Sequence, residues 1–245
     1  MKFEFIRFAD LPSTNNEAKK YASEGGALPA LIMSERQSSG KGRLGRSFYS
    51  NDNTGLYMTL VFKSPEKESV FLRLTSLAAV CAAESIRELF GLKVEIKWVN
   101  DIYLYSKKAG GILAESFFVE DERFIALGFG INLYTDFPDE LKDIAISLFG
   151  SYTDSYTLNT QRNALANRIA EKFFEALEKD DLTPYVEKYR KLSCVIGNEI
   201  TFFENGVVYD AYAYDIDNLG HLYVRLPDGK ERTLSSGEIS LRVKN

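Results

Sequence analysis

Four strand-like segments follow one another between residues 94 and 133, and they constrain the fold more than any other feature of the chain. They are Val94–Trp98, Ile102–Tyr105, Gly111–Phe118 and Phe124–Leu133, separated only by short turns. Consecutive strands with such turns are typical of hairpins. Helix-like segments flank them, at Ser69–Phe90 and at about Asn159–Lys179, with apolar residues at helical spacing. This order predicts an α+β fold, in which a mixed sheet has helices beside it.

The N-terminal part predicts further strands around one short helix. Lys2–Phe8 alternates aromatic with charged residues, while Ala30–Met33 and Gly55–Phe62 are apolar runs of strand length. Thr14-x-x-Glu17 has the spacing of a capping box, which predicts a helix ending near Gly25. We expect these elements to belong to the same sheet domain.

The character of the sequence changes after Ser193. Pro184 suits the first turn of a short helix ending near Leu192, and short strand-like segments follow. These segments are Glu199–Phe203, Val207–Asp215, His221–Arg225, Arg232–Leu234 and Ile239–Val243, with a glycine-containing turn between each pair. Five short strands at this spacing predict a small β-barrel of the SH3-like size. Two domains are therefore expected, residues 1–192 and residues 193–245.

The composition of the 245-residue chain excludes several classes of protein. The net charge of −5 argues against a protein that binds nucleic acid through an overall basic surface. The N-terminus lacks the apolar core of a signal peptide, and no stretch approaches the roughly 18 apolar residues of a membrane-spanning helix. Cys81 and Cys194 show no CxxC spacing, so reduced thiols are expected. These features predict a cytoplasmic protein without a membrane partner.

A basic, glycine-rich segment at residues 36–46 is the most informative motif. It holds four cationic side chains, three glycines and no acid in eleven residues. Glycines let backbone N–H groups approach an anion, and Lys and Arg supply charge, so such a loop can wrap a phosphate. A solvated basic loop is the alternative. The spacing is not that of a P-loop, and the segment does not stand at a strand-to-helix turn, so a dinucleotide site is disfavoured.

Polar residues at strand ends form three further clusters. Lys97-Trp98-Val99-Asn100-Asp101 places the only tryptophan beside a lysine, an amide and a carboxylate, and Lys107-Lys108 precedes an apolar strand. Asn132 follows an apolar run. Indole can stack on a purine, Asp can bind Mg²⁺, and Lys can neutralise a carboxylate or a phosphate. Each cluster alone is equally compatible with a polar turn at the surface of the sheet.

Taken in order, these motifs resemble those of the biotin protein ligases over nearly the whole chain. The resemblance rests on Ser13-Thr14-Asn15, on Gln37 followed by GKGRLGR (family pattern GRGRxGR), on KWVND (family pattern KWPND), and on KKAGGIL, FGINL and GEISLR. Lipoate ligases share a lysine like Lys108 but lack this glycine- and arginine-rich loop. The fold that the resemblance implies is that of the class II aminoacyl-tRNA synthetases and biotin ligases, with a small C-terminal barrel.

The resemblance implies two half-reactions, in which biotin and ATP with Mg²⁺ give biotinyl-5′-AMP and a carrier lysine then receives biotin. The implied biotin-binding residues are Ser13, Thr14, Asn15, Gln37, Lys41, Gly42, Arg43 and Lys108. The implied adenylate- and ATP-binding residues are Lys41, Arg43, Arg46, Trp98, Asn100 and Asn132. Lys108 and Arg43 would be catalytic, and Asp101 would bind Mg²⁺. The implied partner is a biotin carboxyl carrier domain.

Three positions depart from the family pattern, and none of them removes a charge. Lys41 stands where Arg is usual, so it cannot make a bidentate contact with phosphate. Phe48 replaces a common Trp, and Val99 replaces a Pro. We expect activity to survive these changes.

Other functions compatible with the sequence are a lipoyl or octanoyl ligase of the same fold and a biotin-binding module without catalysis. Some family members carry an N-terminal DNA-binding domain and act as repressors. Ser13 comes too early in this chain to leave room for one, so no nucleic-acid partner is expected. A homodimer is compatible with the sequence, which does not decide between monomer and dimer.

Overall fold

The computed structural model describes residues 2–50, 53–64, 70–152, 154–179, 181–237 and 239–241. Its strands are β1 (Glu4–Leu11), β2 (Ala30–Gln37), β3 (Gly55–Lys63), β4 (Glu95–Lys97), β5 (Asp101–Leu104), β6 (Lys107–Val119), β7 (Glu122–Asn132), β8 (Asn198–Glu204), β9 (Val207–Ile216), β10 (Leu222–Arg225), β11 (Glu231–Leu234) and β12 (Ile239–Leu241). Its helices are α1 (Thr14–Ser23), α2 (Val70–Phe90), α3 (Ser155–Leu177) and α4 (Thr183–Leu192).

Seven strands form the first sheet in the order β1-β2-β3-β7-β6-β5-β4. β1 and β2 run parallel because α1 connects them, and the other neighbours pair antiparallel. The second sheet is antiparallel, with the order β11-β10-β9-β8-β12. The predicted α+β fold is confirmed, and the second sheet lies where the small barrel was expected.

The first sheet is covered on both faces. Alternate residues of β2 show this, since Leu31 and Met33 belong to the large apolar cluster that contains α2 and α3, whereas Ala30 and Ile32 belong to a smaller cluster under α1. Thr59 of β3 lies on the α1 face by the same alternation.

Two local predictions are wrong, for identifiable physical reasons. The N-cap of α1 is Ser13, and no side chain caps the helix, because the Thr14 backbone N–H and hydroxyl are bonded to Gln37 instead. β6 begins at Lys107 rather than at Gly111, so Lys108 lies in a strand and not in a solvated turn. The strand begins early because Lys107 and Lys108 pair with Leu104 and Tyr103 of β5.

Candidate functional site

A cavity of about 360 Å³ opens on the α1 face of the first sheet, and the second sheet closes one side of it. The sequence-predicted residues that line it are Ser13, Thr14, Asn15, Gln37, Lys41, Gly42, Arg43, Arg46, Trp98, Asn100, Asp101 and Lys108. Asn132 is not among the lining residues. Gly237, Ile239 and Ser240 contribute from the second sheet. The structure thus gathers motifs that are almost 100 residues apart into one concave site.

The first corner of the cavity consists of buried polar residues at the N-terminus of α1. Ser13, Thr14 and Asn15 expose 2%, 4% and 4% of their surface, and Gln37 at the end of β2 exposes 6%. Gln37 Oε1 accepts from the Thr14 backbone N–H at 2.8 Å and from the Thr14 hydroxyl at 3.1 Å. This double contact leaves the Gln37 amide nitrogen as a donor. These four side chains carry no charge, so the corner is suited to neutral polar groups.

The Asn15 side chain is held by residues that the sequence analysis did not identify. Its Oδ1 accepts from the hydroxyl of Thr59 at 2.6 Å, and its Nδ2 donates to Glu115 Oε2 at 2.8 Å. Glu115 in turn forms an ion pair with Lys19, with Nζ 2.8 Å from Oε1. Partial burial alone would raise the pKa of Glu115, but the hydrogen bonds from Lys19 and Asn15 outweigh it and the pKa is lowered. Glu115 is thereby kept ionised.

Two glycines of β7 make room for the side chains of Asn15 and Phe48. A Cβ atom on Gly128 would lie 2.3 Å from Asn15 Oδ1, and one on Gly130 would lie 2.6 Å from Cε1 of Phe48. Both residues line the cavity, and their spacing of two places them on the same face of the sheet. The alternating glycines in Gly128-Phe129-Gly130 are the sequence signal for this part of the cavity wall. The sequence analysis considered Asn132 in the same segment and did not identify the two glycines.

The basic segment forms a short hairpin over the cavity. Lys41 and Ser47 form a bridge, and Gly42 N–H donates to Arg46 O at 2.7 Å. Gly45 has a φ of +76°, which favours glycine. Phe48 lies over Gly130 as an aromatic cover. The predicted phosphate loop is thus folded toward the site and not spread over the surface.

Two contacts tie this hairpin to the rest of the cavity wall. Lys41 Nζ donates to Asn16 Oδ1 at 2.6 Å, and Arg43 Nη1 donates to Asn100 Oδ1 at 3.1 Å. Asn100 is fixed in turn, because its Nδ2 donates to Ile112 O at 2.7 Å. The Arg43 contact closes the cavity between the basic loop and the turn after β4.

Lys108 and Asp101 face each other across the charged end of the cavity. Lys108 Nζ lies 2.7 Å from Asp101 Oδ1, and the two side chains expose 36% and 21% of their surface. Gly111 stands beside both, and a Cβ there would lie 3.3 Å from Lys108 Cε. An anionic ligand at this end could pair with the ammonium group of Lys108. The carboxylate of Asp101 would then be available to a cation.

Trp98 and Asn132 are less accessible than the sequence suggested. Trp98 exposes only 4% of its surface, and its Nε1–H donates to Gly220 O in the turn before β10 at 2.9 Å. Asn132 lies behind the wall, where its Nδ2 contacts the carbonyls of Lys108 at 3.4 Å and Ile146 at 3.2 Å. Trp98 therefore joins the two sheets as well as lining the cavity, and Asn132 supports the Lys108 strand. The Trp98–Val99 peptide bond is cis.

Neither cysteine is suited to nucleophilic catalysis. Cys81 and Cys194 are free thiols, and neither lines the cavity. Burial raises the pKa of each to about 12, so both thiols are protonated at neutral pH. His221 pairs with Asp217, with Nδ1 2.8 Å from Oδ2, and lies outside the cavity lining. The charged side chains among the described lining residues are lysines, arginines and Asp101.

The described lining residues offer one carboxylate to a divalent cation. Within the described ranges, no group of three or more His, Cys, Asp or Glu side chains could hold a metal ion. Asp101 is the one carboxylate among the described lining residues. Mg²⁺ is commonly bound by one or two carboxylates together with substrate phosphates, so this donor set suits an ion that arrives with a triphosphate.

Arg242 and Glu238 of the GEISLR motif lie outside the described residues. No described helix is both long and apolar enough to span a bilayer.

Solved structures with similar folds include biotin protein ligases. The enzyme from Aquifex aeolicus, solved in complex with biotin and ATP, aligns with a TM-score of 0.79 at 24% identity and covers 98% of this chain and 99% of its own. The enzyme from Leishmania major, in complex with biotinyl-5-AMP, aligns with a TM-score of 0.64 at 21% identity, over 96% of this chain and 100% of its own. These similarities establish the fold.

Curated relatives extend the comparison to sequence. The bifunctional ligase/repressor BirA of Bacillus subtilis is 39% identical over 142 residues, which are 56% of this chain and 44% of the relative. The BirA protein of Escherichia coli is 28% identical over 214 residues, 86% of this chain and 65% of the relative. The chain thus spans less than half of the Bacillus protein and about two thirds of the Escherichia protein.

Two family models match separate parts of the chain. Residues 195–242 match the biotin protein ligase C-terminal domain, which contains the strands of the second sheet. Residues 6–132, which are more than half of the chain and include all of the predicted site residues, match the other model. The chain belongs to the biotin/lipoate A/B protein ligase family, and its C-terminal part is that of the biotin protein ligases.

Proposed function

We propose that this chain activates biotin with ATP and transfers it to a lysine of a biotin carboxyl carrier domain. The observation that carries the proposal is the single cavity, in which a buried neutral corner at Asn15 and Gln37 lies beside the cations Lys41, Arg43 and Lys108. A ligand with a neutral polar ring and a carboxylate tail fits this cavity, with the ring in the neutral corner and the carboxylate beside the cations. The net charge of −5 conceals this local positive field.

The first half-reaction joins two anions. A carboxylate oxygen of biotin attacks the α-phosphorus of ATP, a new O–P bond forms, and the bond to the β-phosphate oxygen breaks to release pyrophosphate. Lys108 would hold the attacking carboxylate and the α-phosphate together, and Arg43 would stabilise the charge that develops on phosphorus. Asp101, with phosphate oxygens, would hold Mg²⁺, which supplies charge neutralisation on the nucleotide. Lys41 and Arg46 of the hairpin would contact the remaining phosphates.

The second half-reaction uses the acyl-adenylate as an activated ester. The ε-amine of the carrier lysine attacks the acyl carbon, AMP leaves, and the nitrogen loses a proton as the amide forms. The hairpin over the cavity, with Phe48 packed on Gly130, would exclude water from the intermediate until the carrier arrives. Trp98 and Asn100 would flank the adenylate.

The comparisons favour biotin over lipoate as the substrate. The C-terminal part matches a domain that the family model describes as belonging to biotin protein ligases, and the human relative with 34% identity over 116 residues is a biotin–protein ligase. We further propose that residues 1–192 form the catalytic domain and residues 193–245 the barrel domain. The lining residues Ile239 and Ser240 suggest that the second domain helps to enclose the nucleotide.

The test is adenylate formation followed by transfer. The purified chain is incubated with α-labelled ATP, Mg²⁺ and either biotin, lipoate or octanoate, and labelled acyl-adenylate is separated by chromatography. We expect an adduct with biotin and a streptavidin-reactive band when a carrier domain is added. Adduct formation with lipoate or octanoate in preference to biotin would contradict the proposal. Tight binding of biotin without release of pyrophosphate would instead identify a non-catalytic module.

A further inference from the structure

Thr59 is a buried hydroxyl group among apolar neighbours, and its placement needs an explanation. The residue is fully buried on β3, and most of the other residues of that strand are apolar. A buried hydroxyl is costly unless it is hydrogen-bonded. Thr59 Oγ1 donates to Asn15 Oδ1 at 2.6 Å and lies 2.9 Å from the hydroxyl of Thr14. Thr59 therefore makes its contacts with two residues of the cavity corner and does not line the cavity itself.

Glu115 determines which way the Asn15 carboxamide is turned. Its carboxylate accepts from Asn15 Nδ2 at 2.8 Å, and the Leu113 carbonyl lies 3.4 Å from the same nitrogen. An ionised carboxylate can only accept, so a flipped amide would bring two oxygens together. Since Lys19 pairs with Glu115 at 2.8 Å, the charge is maintained. Asn15 is therefore fixed with its Nδ2 toward the protein and a lone pair of Oδ1 available to the cavity.

The neighbouring amide is turned the opposite way. Gln37 Oε1 is occupied by the backbone and the hydroxyl of Thr14, so Gln37 Nε2 is the group that remains. This nitrogen lies beside the hairpin at Gly40, where a Cβ would be 3.2 Å from it. The corner thus offers an acceptor from Asn15 and a donor from Gln37. Such a pair matches a planar ring that carries an N–H next to a carbonyl.

We propose that Thr59 and Glu115 are positioning residues, which hold Asn15 with its side-chain oxygen toward the ligand. This orientation makes the cavity corner at Asn15 and Gln37 select a ring with N–H donors over an apolar acyl chain. This inference rests on the proposed function and names its specificity device. Neither residue contacts the ligand, and both act through Asn15. Loss of a polar partner in a site built to hydrogen-bond its substrate is felt mainly in substrate affinity.

The experiment measures the KM for biotin and the KM for ATP in adenylate formation by Thr59→Val, Thr59→Ser and Glu115→Leu. We expect Thr59→Val and Glu115→Leu to raise the KM for biotin by about tenfold or more, while the KM for ATP changes by less than about twofold. Thr59→Ser keeps the hydroxyl, so it should restore the KM for biotin to near the wild-type value. Thermal unfolding of each variant reports whether it is folded.

Lys20→Met is the matched control, because Lys20 is the next residue of α1, exposes 62% of its side chain and contacts Glu17 instead of Glu115. Exposed ion pairs contribute little, so its KM for biotin should stay within about twofold of wild type. An unchanged KM for biotin in folded Thr59→Val, or equal rises in both KM values with no rescue by Thr59→Ser, would overturn the proposal and leave the ligase activity standing. A wild-type chain that forms no adenylate with biotin would overturn both.

Discussion

The ammonium group of Lys108 lies 2.7 Å from the carboxylate of Asp101, and both side chains line the cavity. The backbone of Lys108 is bonded twice to one neighbouring segment, since its N–H donates to Ile144 O and its carbonyl accepts from Ile146 N–H, each at 2.9 Å. Only the end of the side chain is therefore adjustable. A substrate carboxylate can replace Asp101 as its partner without movement of the strand.

Lys108→Ala should lower the rate of adenylate formation by about 10²- to 10³-fold, the usual loss when one charge-stabilising donor is removed. Pyrophosphate exchange measures this step without the carrier. Lys107→Ala is the matched control, because Lys107 lies one residue away, donates to Lys142 O at 2.7 Å and does not line the cavity. It should retain activity within about twofold. Wild-type rates in Lys108→Ala would show that another group carries the charge.

Gly128→Ala should raise the KM for biotin by about tenfold or more, since the added methyl group would lie 2.3 Å from Asn15 Oδ1 and must displace that side chain. Steady-state kinetics of adenylate formation at varied biotin concentration is the measurement. Gly150→Ala offers a comparison with the same chemical change, because no atom lies within 4 Å of its Cβ position. Equal KM values for the two variants would mean that Asn15 does not set the shape of the corner.

The chemistry-bearing residues could be read from the sequence because their types and spacing are unusual in an acidic chain. In the basic loop, cations alternate with glycines, and Lys108 stands directly before an apolar segment. The order of helices and strands was predictable for a similar reason, because apolar periodicity is local. α3 nevertheless begins at Ser155 and not near Asn159, since Asp154 caps it through a 2.8 Å bond from Thr157 N–H.

The partners of Asn15 could not be predicted, because they depend on strand register. Thr59 and Glu115 are 44 and 100 positions away from Asn15 in the sequence. They meet it because β7 lies between β3 and β6, with Gly128 of β7 opposite Thr59 on one side and opposite Leu113 on the other. A shift of one residue would turn Thr59 to the other face. The predicted capping box failed for a related reason, since a distant residue, Gln37, uses the groups of Thr14.

Tyr189→Phe should lower the free energy of unfolding by about 1–3 kcal/mol, because a buried carbonyl loses its partner. Tyr189 is fully buried in α4, and its hydroxyl donates to Val99 O at 3.0 Å, which anchors the turn that carries Asn100. Urea unfolding followed by the fluorescence of Trp98 reports the change. On the same helix, the hydroxyl of Tyr185 accepts from the exposed Lys179 at 3.3 Å, so Tyr185→Phe should change the value by less than about 0.5 kcal/mol. A smaller loss in Tyr189→Phe than in Tyr185→Phe would contradict this.

The stability difference between wild type and Glu115→Gln should depend on pH. Burial alone would raise the pKa of Glu115, but hydrogen bonds from Lys19 and Asn15 hold it below the ordinary value of 4.5. A carboxyl whose pKa is depressed by folding adds stability that is fully present above the unfolded pKa and is lost as the pH falls through the folded pKa. The difference in the free energy of unfolding should thus be constant between about pH 7 and pH 6 and shrink below about pH 4.5. Urea titrations at each pH measure it, and the other titrating groups, which both proteins share, cancel in the comparison. A difference that stays constant down to about pH 3 would show that Glu115 gains nothing from its contacts with Lys19 and Asn15.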